Sequence, residues 1–157
     1  MRDISELNIN EGGRPILRNS PSQNMISEFE DEFGISLPND YIRFLKESNG
    51  GHPELNLFTP VGNSDDNHFT IDYFYHLTND DRESLTSVWR VTRDWQQKLG
   101  QGCVPFGRDG GGNQLYLDFS SNEAIFLCIH DEDFKKIKVA PSFSAFLDLL
   151  EEDLDMI

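Results

Sequence analysis

The segment HDEDF, His130 to Phe134, sets a histidine beside three carboxylates, Asp131, Glu132 and Asp133. Imidazole and carboxylate are the groups of general acid–base catalysis and of zinc ligation. The same segment lies between two apolar stretches, where a charged, solvated turn joining strands is the ordinary arrangement. A second group, FGRDGGGNQLYLDFS from Phe106 to Ser120, holds three glycines between Asp109 and Asn113. Phosphate-binding loops deliver glycines to a helix N-terminus and usually carry a lysine. Here the following residues alternate, Leu115, Leu117 and Phe119 against Gln114, Tyr116 and Asp118, so the glycines enter a strand instead. A calcium loop needs more oxygen ligands at alternate positions than Asp109 and Asn113 supply. Glycines beside Asp and Asn are what a tight hairpin or bulge requires.

Other chemistry has thinner support. His52, His68 and His76 show no HExxH spacing, and His68 and His76 on one strand would stand roughly 26 Å apart, too far to share an ion. GNSDD, Gly62 to Asp66, lacks the second glycine and the strand-to-helix elbow of a serine nucleophile. Carboxylates are so numerous that a glycosidase-like pair carries no information. Trp89 and Trp95 could stack on a ligand, but at helical spacing they read as core. Cys103 and Cys128 sit in apolar stretches, CVPF and FLCI, without CxxC spacing, which fits buried free thiols. The sequence therefore predicts no catalytic residue, no metal site and no cofactor.

Carboxylates remain as a recognition signal. Asp65 and Asp66, then Asp80, Asp81 and Glu83, then Asp131, Glu132 and Asp133 recur at expected connections, where loops on rigid elements carry recognition. With 28 acidic residues against 13 basic ones, the formal charge is −15, and the last eleven residues contain no lysine or arginine. Such a surface repels nucleic acid and attracts a basic protein; acidity that only aids solubility is the plain alternative. The N-terminus lacks a secretory pattern, and the longest apolar run, Ala124 to Ile129, is far short of the ~20 residues of a membrane span. A cytoplasmic protein with neither a membrane nor a nucleic-acid partner is expected.

The elements that must position these residues follow from periodicity. At 157 residues one domain is expected, with residues 1–19 as an extended or mobile lead-in. SPSQ offers a cap at Ser20, and Met25, Ile26, Phe29 and Phe33 share a helical face that Gly34 ends. Pro38 opens a second helix carrying Tyr41, Phe44 and Leu45, with Asn49-Gly50-Gly51 as its termination. Leu55–Pro60 and Asn67–Leu77 read as strands, and Asp80–Leu99 as a third helix bearing Leu85, Val88, Trp89, Thr92, Trp95 and Leu99. CVPFG, QLYLDFS, AIFLCIH and KKIKVA are four further strands, and Phe143, Phe146, Leu147 and Leu150 mark a closing helix. The fold class expected is α+β, a twisted, mostly antiparallel sheet flanked by about four helices.

LPNDYIRFLKESNGG resembles the LPxxYxxFLxxxNGG stretch of the SMI1/KNR4 family in the SUKH superfamily, through Leu37, Pro38, Tyr41, Phe44, Leu45, Asn49, Gly50 and Gly51. FGRDGGGNQLYLDFS resembles that family's glycine-rich turn before a strand, and Val139 to Glu152 resembles its terminal helix. One departure stands out: Ile129 occupies the place where related strands often carry tryptophan, ahead of His130 and Asp131. The resemblance implies an α+β fold and no catalytic residues. Bacterial relatives look like immunity proteins that bind and neutralise polymorphic or contact-dependent toxins, and fungal ones like regulatory scaffolds. The expectation is an immunity protein whose acidic surface occludes a basic cognate toxin, such as a nuclease; the alternative is an intracellular scaffold or regulatory module without a toxin partner.

Overall fold

The computed structural model describes residues 1–62 and 67–153. Four helices, α1 (Gln23–Phe33), α2 (Asn39–Glu47), α3 (Val88–Leu99) and α4 (Phe143–Leu149), accompany two antiparallel sheets. The larger sheet runs β3 (Tyr73–Phe74), β4 (Cys103–Arg108), β5 (Gln114–Asp118), β6 (Ala124–Ile129) and β7 (Lys135–Ala140) in sequential order. The smaller pairs β1 (Leu55–Phe58) with β2 (Phe69–Thr70) on one side and β8 (Glu151–Glu152) on the other. This is the α+β class that the periodicity implies.

Alternation along the strands of the large sheet divides two apolar layers. Leu115, Leu117, Ile125 and Leu127 face the main core, which α1, α2 and α4 close with Phe29, Tyr41, Phe44, Phe143 and Phe146. Aromatic rings dominate it: Phe44 lies 4.7 Å from Phe74, and Phe106 lies 5.2 Å from Phe143 and 5.3 Å from Phe146. Such pairs add about 0.5–1.5 kcal/mol each beyond their area. On the other face Tyr116, Cys103 and Cys128 pack under Leu99 and Trp95 of α3. Both thiols are free and buried, on strands separated by β5. Two strand spacings make about 9.5 Å, beyond disulfide reach.

Several boundaries differ from expectation. The cap of α1 is Ser22, whose hydroxyl accepts from Met25 N, while Ser20 donates to Lys46 O at 2.6 Å. Helix α2 ends at extended Ser48, so the two glycines that follow serve close packing rather than termination. The expected strand over 67–77 is broken at Ile71-Asp72, which sends β2 and β3 to different sheets. The third helix starts only at Ser87; Asn79–Asp81 form a 3-10 turn, and Leu85 is 69% exposed instead of lining the core. The lead-in is docked: Ile4–Leu7 form a 3-10 turn that buries Ile4 and Leu7, and Asn10 bridges His52.

Candidate functional site

The carboxylates singled out in the sequence occupy different settings. Asp65 and Asp66 lie outside the described residues. Asp80, Asp81 and Glu83 sit exposed on the connection between β3 and α3. That connection is held from beneath by His76, which is buried and carries Thr86 Oγ1 on Nε2 (2.9 Å) and Thr78 Oγ1 on Nδ1 (3.1 Å). Burial, with Arg18 adding to it, pushes the imidazole pKa down to about 4, so the ring is neutral at neutral pH. Turn bonds from Ser84 N to Asp81 O and from Ser87 N to Ser84 O set the loop's path into the helix.

Glu83 is bound to Arg93, which holds its carboxyl below the usual range, and Arg90 reaches its backbone carbonyl at 3.0 Å. Arg82 lies 4.2 Å over the Trp89 ring and pairs with Glu28. Asp80 and Asp81, by contrast, take part in no ion pair among the described residues. Both border a groove of about 400 Å³ between Leu17–Ser22 and Thr78–Asp81, floored by Met25, with Leu17 92% exposed on its rim.

Asp131, Glu132 and Asp133 form the exposed turn from β6 to β7, with Asp133 and Phe134 both left-handed at φ 55 and 56. Its neighbour is the opposite end of α3: Phe134 packs edge-on against Trp95 and under Lys98. The twelve residues of α3 span about 18 Å. The structure therefore does not bring the 80–83 and 131–133 groups together.

The glycine run is a hairpin turn. Asp109 Oδ1 accepts from Gly111 N and Asn113 N, both at 2.9 Å, and Oδ2 accepts from Asn113 Nδ2 at 2.8 Å. His130 is drawn onto the same turn, its Nε2 2.8 Å from Gly111 O and its backbone N 3.0 Å from Asn113 Oδ1. The HDED and DGGGN segments, read separately as candidate chemistry, are two turns fastened to each other. Among the described residues, no group of three or more His, Cys, Asp or Glu side chains is placed to hold a metal ion.

A second polar centre escaped the sequence reading. Buried Asn49 accepts from Leu77 N (2.7 Å) and donates to Leu77 O and Asn19 O (2.9 Å each). Arg18 donates to Asn49 O and to the Tyr73 hydroxyl, and pairs with Glu11. These bonds clamp the lead-in against β3. Only the polar asparagine in an otherwise turn-like NGG hinted at them.

The SMI1 / KNR4 family (SUKH-1) model matches residues 20–149, from the cap region of α1 to the end of α4. The chain belongs to this family. Outside the match lie the lead-in and the residues from Leu150 onward, including β8. The SPbeta prophage-derived uncharacterized protein YokK of Bacillus subtilis (strain 168) is 24% identical over 97% of this chain and 85% of its own length. SMI1/KNR4 (SUKH) proteins are known as an immunity-protein type, so a protein partner in general is what membership implies. Among the described residues no helix is long and apolar enough to cross a membrane.

Proposed function

We propose that this SMI1/KNR4 protein is an immunity protein that binds a cognate toxin domain and neutralises it by occlusion. The observation that carries the reading is the family match across 20–149, which takes in every helix and the whole large sheet. Its acidity supports a basic partner, as a nuclease toxin would be: 28 acidic residues face 13 basic ones, and a field of that sign raises the association rate of a basic protein. Asp80 and Asp81 favour the loop ahead of α3 as contact, since exposed carboxylates that form no ion pair among the described residues give up none of those bonds on docking. Asp131, Glu132 and Asp133 form a second, separate acidic projection, and Asp65 and Asp66 complete the candidate set. The protein acts in the cytoplasm, with neither nucleic acid nor membrane as partner.

The test is growth rescue. Co-expression of this chain with the product of the neighbouring reading frame restores growth to cells that the product alone arrests. Asp80→Lys/Asp81→Lys weakens protection while leaving thermal melting unchanged, because neither carboxylate holds the fold. A neighbouring product that is harmless alone, or toxicity unrelieved by the chain, overturns the reading.

A further inference from the structure

The chain has five lysines, Lys46, Lys98, Lys135, Lys136 and Lys138. Three of them, Lys98, Lys136 and Lys138, gather on one side of the large sheet. Lys136 stands opposite Cys128 and Lys138 opposite Phe126, which places both on the face away from the main core. Helix α3 covers the β4 and β5 part of that face with Trp95 and Leu99. Over β6 and β7 the surface is half-buried Phe126 between exposed Lys136 and Lys138. At the far end of β7 an apolar depression of about 230 Å³ lies between Val61, Lys138, Ala140 and Pro141, with Val61 57% exposed. Among the described residues no lysine takes part in an ion pair.

Strand β7 is also an edge. It ends the sheet order, and among the described residues its backbone meets, beyond its bonds to β6, only Val61 N, which donates to Val139 O at 2.9 Å, and Glu132 O at the turn bond from Lys135 N. An edge of unpaired N–H and C=O groups is a template for a further strand, and charges along it set which strand can be added. Another β7 in antiparallel pairing would set lysine against lysine, which like-charge pairing penalises. A strand with carboxylates at alternate positions would meet Lys136 and Lys138 on the same face.

We propose that the outer edge of β7 binds an extended acidic segment of a partner protein by strand addition. Its carboxylates, two residues apart, flank Lys136 and Lys138, and an apolar side chain enters the depression beside Val61 and Pro141. Between Lys135 N and Val139 O, which are already bonded, β7 offers about 13 Å of edge. The acidic turn Asp131–Asp133 closes the opposite end and limits the strip. Nucleic acid is disfavoured because it offers no peptide N–H and C=O groups to the edge. This surface is separate from the loop ahead of α3 and does not rest on the toxin reading.

The test is an amide chemical-shift titration of the labelled protein with the peptide acetyl-Glu-Val-Glu-Val-Glu-Val-amide, with its lysine-for-glutamate counterpart, and with a ten-residue oligothymidylate. The acidic peptide is expected to shift Val61 and Lys135–Ala140, with affinity about fivefold or more lower in Lys138→Glu and in Lys136→Glu/Lys138→Glu. Among the described residues the exposed Lys138 ammonium takes part in no ion pair, so the single variant is expected to melt like the parent and keeps the test valid if the double variant does not. No shifts at about 1 mM peptide, shifts centred elsewhere, or equal shifts from the lysine peptide overturn the proposal. Stronger shifts of the same amides by the oligonucleotide would make the strip a nucleic-acid site, and movement of those amides on dilution without peptide would make it a self-association edge; either overturns it.

Discussion

Two glycine-rich turns in this chain look alike as text and differ in what they do. Asn49-Gly50-Gly51 is buried, and a Cβ at Gly50 would sit 2.9 Å from Phe74 O and 3.1 Å from His76 N. At Gly51 it would sit 2.6 Å from Ile16 Cδ1 and 2.7 Å from Ile9 Cγ2. Asp109–Asn113 is more open, with nothing within 4 Å of a Cβ at Gly110, and the Asp109 carboxylate makes its internal side-chain bonds. The first turn is where the lead-in, α2 and β3 meet; the second reverses the chain between β4 and β5 and fastens His130 of the neighbouring turn. Glycine content thus reports two separate needs, close approach and backbone freedom, and the surroundings decide which applies.

Substitutions can break or sharpen this contrast. Gly50→Ala has the largest expected effect, about 3–4 kcal/mol of lost stability by denaturant unfolding, because its φ of +85 is unfavourable for alanine and its neighbours are backbone atoms that cannot yield. Asn49→Ala follows at about 2–4 kcal/mol, since Leu77 N, Leu77 O and Asn19 O all lose a partner. A result for either within 0.5 kcal/mol of the parent, the ordinary scatter of surface changes, would remove the distinction between the two turns.

His76, beside the first turn, adds a pH signature. Its folded pKa is depressed to about 4 from an unfolded value of about 6.5, so its contribution is complete above pH 6.5 and declines as pH falls through 4, by up to about 3 kcal/mol. Unfolding free energies of the parent and of His76→Gln, compared between pH 7 and pH 4, should show a shallower acid slope in the variant. The second turn should give smaller effects. Asp109→Ala is expected to lose about 1–2 kcal/mol by removing the acceptor of three turn bonds, and Gly110→Ala less than about 0.5 kcal/mol.

Much of the fold was legible because burial leaves a period. The four strands from Cys103 to Ala140 and the faces of α1, α2 and α4 follow directly from alternation or helical spacing. Where legibility failed, a local pattern carried too little information. Leu85 happens to fall in phase with Val88 and Trp89, yet Ser87 caps the helix after it. The lead-in was obscure because one 3-10 turn with Ile4 and Leu7 is too short to show periodicity. Of the candidate surface, the acidic residues and their places on connections could be read, but their separation by the length of α3 could not, since only tertiary packing sets it. The lysine strip was hidden for the same reason: sheet register puts Lys136 and Lys138 on one face, and the packing of α3 brings Lys98, remote in sequence, to the same side.

The central claim, that this protein works by occupying another macromolecule, is tested most directly by stopped-flow mixing of the purified chain with the purified product of the adjacent reading frame over a range of salt concentrations. The account predicts a one-to-one complex whose association rate falls roughly tenfold or more as salt rises, as steering by a −15 field requires. No complex at micromolar concentrations, or turnover of a substrate by the chain itself, would contradict it.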